Sequence, residues 1–89
     1  MVIKESTLNR VIDNVENSLR MFVLDCKLKT KNWVGMESRI VVQYNTRLDG
    51  VLQSEAYTSL TQLEPKDRLI VSNRIKDFLA LTKDEYDKN

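Results

Sequence analysis

Along the first third of the chain, apolar side chains recur at the intervals of a helix face. Leu8, Ile12, Val15, Leu19, Phe22 and Cys26 follow one another at spacings of four, three, four, three and four. That is a heptad seam held for nearly three heptads. Val11, Val23 and Leu24 widen the stripe beyond a bare seam. The pattern predicts an amphipathic helix over 6–28. Ser6 or Thr7 can accept hydrogen bonds from the N–H groups left open at its start. Glu16 and Arg20, four residues apart in the favourable order, are expected on the outer face.

A polar connector follows over 27–32, with Lys27, Lys29 and Lys31 and no apolar residue except Leu28. After Trp33-Val34-Gly35 the periodicity resumes: Val41, Tyr44, Leu48 and Val51 are spaced three, four and three, with Ile40 and Leu52 alongside. Leu52, Ala56, Leu60 and Leu63 carry the stripe on at four, four and three. One long helix over 35–62 accounts for both runs. Gly50 inside it costs about 1 kcal/mol relative to alanine and marks where a kink would fall. The competing reading of 39–44 is a strand, because Ile40, Val41, Val42 and Tyr44 favour pleated surfaces. No hairpin signal or partner strand accompanies it.

Glu64-Pro65-Lys66-Asp67 is the clearest boundary. Proline fits the first turn of a helix, where its missing N–H costs nothing, and disfavours helix in the residue before it. Asp67 then falls near the positive end of a third helix over 65–81. Val71, Ile75, Phe78 and Leu79 line its buried face, with Ile70 and Leu81 flanking. The polar stretch 83–89 is expected to fray.

Three amphipathic helices with short connectors specify a single all-α domain over 1–89: a small helical bundle made of a long antiparallel hairpin plus a third helix. At 1.5 Å per residue the first helix is about 33 Å long and an unbroken second one about 42 Å. The second would overhang the first, so Leu60 and Leu63 need cover from the third helix or from another chain. The heptad spacing also suits packing between chains, which favours self-association or a bound partner.

Composition narrows the chemistry. The chain has 89 residues, of which 42% are hydrophobic and 30% charged, with a net charge of +1. That is an ordinary globular mix, and a lone domain of this size buries only roughly 60–65% of the surface its unfolded chain exposes. It has no histidine, and Cys26 is the one cysteine. Their scarcity removes zinc sites of the usual Cys/His type, disulfide frameworks, His-based triads and Cys–His nucleophiles. Gly35 and Gly50 are isolated, so no glycine-rich phosphate loop can be drawn. Asp84, Glu85 and Asp87 form the densest acidic cluster, yet no glycine stands near them to shape a calcium loop. These features predict a protein that is not an enzyme and has no catalytic residues, cofactor, metal or small-molecule substrate. Cys26 reads as a small buried hydrophobe in the seam. The start of the chain lacks the apolar stretch of a secretory signal. The longest run of large apolar residues, Met21-Phe22-Val23-Leu24, is far below the roughly 20 residues that cross a bilayer. An unpaired thiol suits a reducing compartment. The expected location is cytoplasmic, away from membranes.

Charge is asymmetric in one place. Between 27 and 47, five cations (Lys27, Lys29, Lys31, Arg39 and Arg47) face a single acid, Glu37. With Trp33 and Tyr44 in the same stretch, it could form a phosphate-binding edge with stacking groups. Near-neutrality of the whole chain argues against non-specific nucleic-acid binding.

Trp33-Val34-Gly35 between two helices resembles the turn of the WxG-motif proteins, small helical hairpins exported by the type VII secretion machinery, usually as dimers. The resemblance covers the hairpin and rests on three letters. It implies that the tryptophan plugs the hairpin end and that the glycine allows a tight turn. Two departures stand beside it. The family's C-terminal signal, a tyrosine followed four residues later by an acid, is missing, since Tyr86 lies three residues from the end. Pro65 also opens a third helix where that family has a tail.

The pattern as a whole predicts a helical protein-interaction module: a small adaptor, inhibitor or regulator, or chaperone-like protein, whose partners are another protein or further copies of itself. Val51, Leu52, Tyr57, Leu60 and Leu63, on the exposed remainder of the long helix, are its candidate contacts. The alternative is a nucleic-acid-binding regulator using Lys27, Lys29, Lys31, Trp33, Arg39 and Arg47. A secreted hairpin of the WxG type is the third reading.

Overall fold

Each of the three apolar stripes forms a helix. The computed structural model describes residues 3–29 and 32–88. They form α1 (Glu5–Lys29), α2 (Trp33–Glu55) and α3 (Pro65–Asp87), with a short 3-10 turn at Leu60–Gln62 ahead of α3. No strand occurs among the described residues, and 39–44 is helix throughout. The β-favouring side chains are overruled because Ile40 and Tyr44, one turn apart, enter a common helical core. The result is the all-α bundle that the periodicity predicts, 42 × 21 × 18 Å overall.

The chain runs up, down and up. Arg10 near the start of α1 meets Glu55 at the end of α2 at 2.9 Å. Trp33 at the start of α2 packs on Tyr86 near the end of α3, with ring centroids 5.7 Å apart. The bundle therefore has a proximal end, made by the α1 N-terminus, the α2 C-terminus and the α3 N-terminus, and a distal end opposite. The proximal core is the larger: Leu8, Ile12, Leu19, Tyr44, Leu48 and Leu52 are all completely buried. A second cluster of Cys26, Met36 and Ile40 fills the distal end. Phe22 and Phe78 pack against both.

Local chemistry explains most boundaries. Asn32 caps α2, its Oδ1 accepting from the Gly35 N–H at 2.7 Å. Pro65 occupies the first turn of α3 as expected. Asp67 follows it and is almost completely buried, with Oδ2 making no hydrogen bond. Its place in the first turn sets that charge at the favourable pole of the helix dipole. Ser6 and Thr7 lie inside α1, which starts one residue earlier than the spacing predicts.

Two boundaries differ from the sequence expectation by more than two residues. The second helix stops at Glu55 and does not run to residue 62. The Ala56 N–H closes on Leu52 O at 2.9 Å, and Tyr57 turns into the left-handed region at φ 54°. Thr58 N–H then returns to Leu52 O at 3.3 Å, and Leu60 N–H donates to Asp49 Oδ1 at 2.9 Å. The chain doubles back, so no overhang exists, and Arg68 in the first turn of α3 donates back to Leu63 O and Thr61 O. At the other end, 83–87 is helical where fraying is expected. Lys83–Asp87 and Lys88–Asp84 form i,i+4 ion pairs at 2.7 and 3.1 Å, and the Trp33–Tyr86 contact ties this last turn to α2.

Candidate functional site

The doubling back at Tyr57 dismantles the contact surface expected from the long second helix. Leu52 is fully buried and Leu63 nearly so, both in the chain's own core. Val51 and Leu60 are half-buried against that core. Of the five candidates only Tyr57 stands in solvent, 83% exposed. They do not form one exposed apolar face.

Exposed apolar area gathers elsewhere. On α1, Met21, Leu24 and Leu28 are 74%, 55% and 82% exposed, and Leu81 on α3 is 66% exposed. Met21, Leu24 and Leu28 line a shallow depression with Asp25 and Lys27. Leu24 also joins Leu81, Val23 and Phe78 in a groove of about 360 Å³ between α1 and α3. Leu24 thus links the two hollows into one apolar band on the distal half of the bundle. Arg20 and Glu85 border the groove, and Arg20 makes no ion pair with a described residue. The sequence carries a signal for this band. Four consecutive apolar residues, 21–24, span about 300° of a helix and cannot all face one core.

Glu16 does not stand on an outer face with Arg20. Its carboxylate accepts from the Tyr44 hydroxyl at 2.6 Å and from Arg74 at 3.2 Å, while Arg74 also donates to Asp13. The knot joins all three helices. Burial pushes the Tyr44 phenol well above its ordinary value, helped by the hydrogen bond to Glu16 and by that carboxylate's charge. The hydrogen bond to Asp13 is the first cause holding Arg74 more firmly protonated than a free guanidinium. A sealed neutral phenol and a doubly paired cation make a cross-brace. Spacing rules miss it because the partners are 28 and 58 residues apart in sequence.

The basic residues of 27–47 are dispersed. Lys27 and Lys29 lie in the last turn of α1, with Lys29 paired to Asp25 at 3.2 Å. Arg39 is exposed on α2, and Lys31 lies outside the described residues. Arg47 is folded onto its own bundle: Nη1 donates to Ser18 O at 2.8 Å, and the guanidinium lies 5.8 Å from the Phe22 ring centre. The two stacking candidates are also engaged. Trp33 Nε1 donates to Glu37 at 2.8 Å while the ring meets Tyr86, and Tyr44 is completely buried. Trp33-Val34-Gly35 is the first turn of α2 rather than the turn of the hairpin, and Gly35 has no positive φ.

No group of three or more acids or cysteines among the described residues could hold a metal ion. No described helix is long and apolar enough to cross a membrane. No protein-family model, curated protein or solved structure matches the chain.

Proposed function

We propose that the chain is a non-enzymatic helical interaction module of the cytoplasm, a small adaptor, regulator or chaperone-like protein that acts by binding another protein or another copy of itself. One observation carries the reading. Met21, Leu24, Leu28 and Leu81 stay in solvent although the core beneath them is already closed. Contiguous exposed apolar surface of this kind marks binding sites in soluble proteins. Each of those side chains contributes up to about 1.5–3 kcal/mol when a partner covers it. The lone buried thiol of Cys26 supports a reducing compartment.

The nucleic-acid reading has less behind it, since Arg47, Trp33 and Tyr44 are engaged within the bundle. One experiment separates the two. Tagged wild-type chain and a Leu24→Glu/Leu81→Glu variant are compared in capture experiments at low and high salt. Proteins held by the wild type at high salt and lost from the variant support the module. Material that is nucleic acid, washes off with salt and is lost on Lys29→Glu overturns it.

A further inference from the structure

Resting on that reading, we infer that the outer face of α1 docks a second copy of the chain, with the two α1 helices side by side and parallel. The face carries a heptad seam of its own. Asn14, Asn17, Met21, Leu24 and Leu28 follow at three, four, three and four residues, and all five are exposed. Asn14, Met21 and Leu28 take the a positions and Asn17 and Leu24 the d positions. Leu19 and Cys26 then fall at f, directly opposite, and both are buried in the chain's own core. The two seams of α1 therefore do not compete. The flanks are occupied as well: α2 lies on the e side, where Arg47 bonds Ser18, and α3 on the g side, where Arg74 bonds Asp13. What remains between them is one helix-wide strip.

Charge selects the occupant and its direction. In this register Arg20 is a g residue and Asp25 the e residue five positions on. A parallel copy brings each Arg20 beside Asp25 of the other, twice by symmetry. An antiparallel copy sets g beside g and places Arg20 against Lys27. Arg20 makes no ion pair with any described residue. Among the described residues Asp25 has only the exposed i,i+4 pair with Lys29, a type of contact that contributes little. An asparagine at a, as at Asn14, is the residue that favours a parallel pair in fixed register. Fifteen residues of helix give a strip about 22 Å long and about 10 Å wide. That is smaller than the roughly 800 Å² per partner of a standard interface. The dimer is therefore reversible, with a dissociation constant in the micromolar range or weaker.

Sedimentation equilibrium from about 1 μM to about 1 mM tests this, since a micromolar constant gives a changing dimer fraction across that span. The expected result is a concentration-dependent dimer. Leu24→Glu abolishes it while leaving the helical circular dichroism and its melting unchanged. Arg20→Asp and Asp25→Arg each weaken it about five- to tenfold, and the two together restore it, because every such contact occurs twice. Asn17→Cys in a Cys26→Ala background cross-links under mild oxidation if the helices are parallel. An antiparallel pair holds those positions more than about 10 Å apart along the axis, beyond disulfide reach. A monomer at every concentration overturns the inference, as does a dimer indifferent to Leu24→Glu or one that never cross-links. If the chain stays monomeric yet Leu24→Glu/Leu81→Glu still removes a captured protein, the second copy is excluded and the module reading stands. If the variant removes nothing, both fall.

Discussion

The two ends of the bundle are built from the same three helices and come out differently. At the proximal end α1 shows one apolar face, and the doubled-back segment with Leu63 closes over it beside Val71. At the distal end α1 shows two. Its inward face supplies Cys26 to a small cluster with Met36 and Ile40, and its outward face leaves Met21, Leu24 and Leu28 in water. Leu81 of α3 extends that uncovered area across the groove. The proximal end is organised for stability; the distal end holds apolar area beyond what folding uses. Met21, Leu24, Leu28 and Leu81 belong to neither core cluster, so the fold should depend little on them.

Truncation gives the largest contrast. Leu48 is fully buried in the proximal core, and Leu48→Ala is expected to cost about 2–5 kcal/mol. A chain of this length has about 5–10 kcal/mol in all. Leu24→Ala, at the distal surface, is expected to stay within about 0.5 kcal/mol. Urea denaturation followed by circular dichroism measures both. Similar losses at the two sites would mean that Leu24 belongs to the core and that the distal surplus does not exist.

The brace between the ends comes next. Tyr44→Phe deletes the hydroxyl that donates to Glu16 and leaves Arg74 on that carboxylate. The expected cost is about 1.5–3 kcal/mol at pH 7, as for a hydrogen bond to a charged group. The pH dependence has a definite sign. The folded-state pKa of Tyr44 is raised, so the native state keeps a proton that the unfolded state releases above its ordinary value of about 10. The stabilisation is whole below about pH 10 and falls as pH rises beyond it, by at most about 1.4 kcal/mol per pH unit for one proton. Tyr44→Phe should remove that part of the alkaline decline. Parallel wild-type and variant stabilities from pH 9 to pH 11 would show that the brace carries no such linkage.

Legibility in the sequence follows the same division. The α1 seam, the Pro65 boundary and the all-helical architecture could be read because each rests on local spacing or on one residue's covalent geometry. The core face of α2 could be read only in part. Its buried positions are Met36, Ile40, Tyr44, Leu48 and Leu52, all four apart, while Val41 and Val51, equally good by periodicity, are half-buried. The end of α2 was not legible, since neither glycine nor proline marks it and the apolar spacing runs on through residues that fold back. The expected contact face is not an exposed face for the same reason. Leu52 and Leu63 look unpartnered only on a helix that continues, whereas the true surplus was signalled by the run at 21–24, which periodicity absorbs into a wider core stripe. The Tyr44–Glu16–Arg74 knot depends on packing between helices, which spacing rules do not describe.

Smaller effects test whether the proximal end is as settled as it looks. Tyr57 holds φ 54° just past the end of α2 while its ring stays in solvent. A side chain in that region costs about 1–2 kcal/mol relative to glycine, and the residue after a helix cap is where glycine is usually found. Tyr57→Gly should therefore stabilise by about 1 kcal/mol, and a loss would mean that the ring makes a contact worth more than the strain. Gly50 is the smallest case. It sits on the exposed side of α2, which continues as helix on both sides of it, and a Cβ built there meets nothing within 4 Å. Its φ is not positive, so alanine fits the backbone as it stands. Gly50→Ala should raise stability by about 0.5–1 kcal/mol through lower unfolded-state entropy and better helix propensity. The gain should appear in urea midpoint without a change in slope. A neutral or negative result would place flexibility in the last turns of α2, and the proximal end would then share the uncommitted character of the distal one.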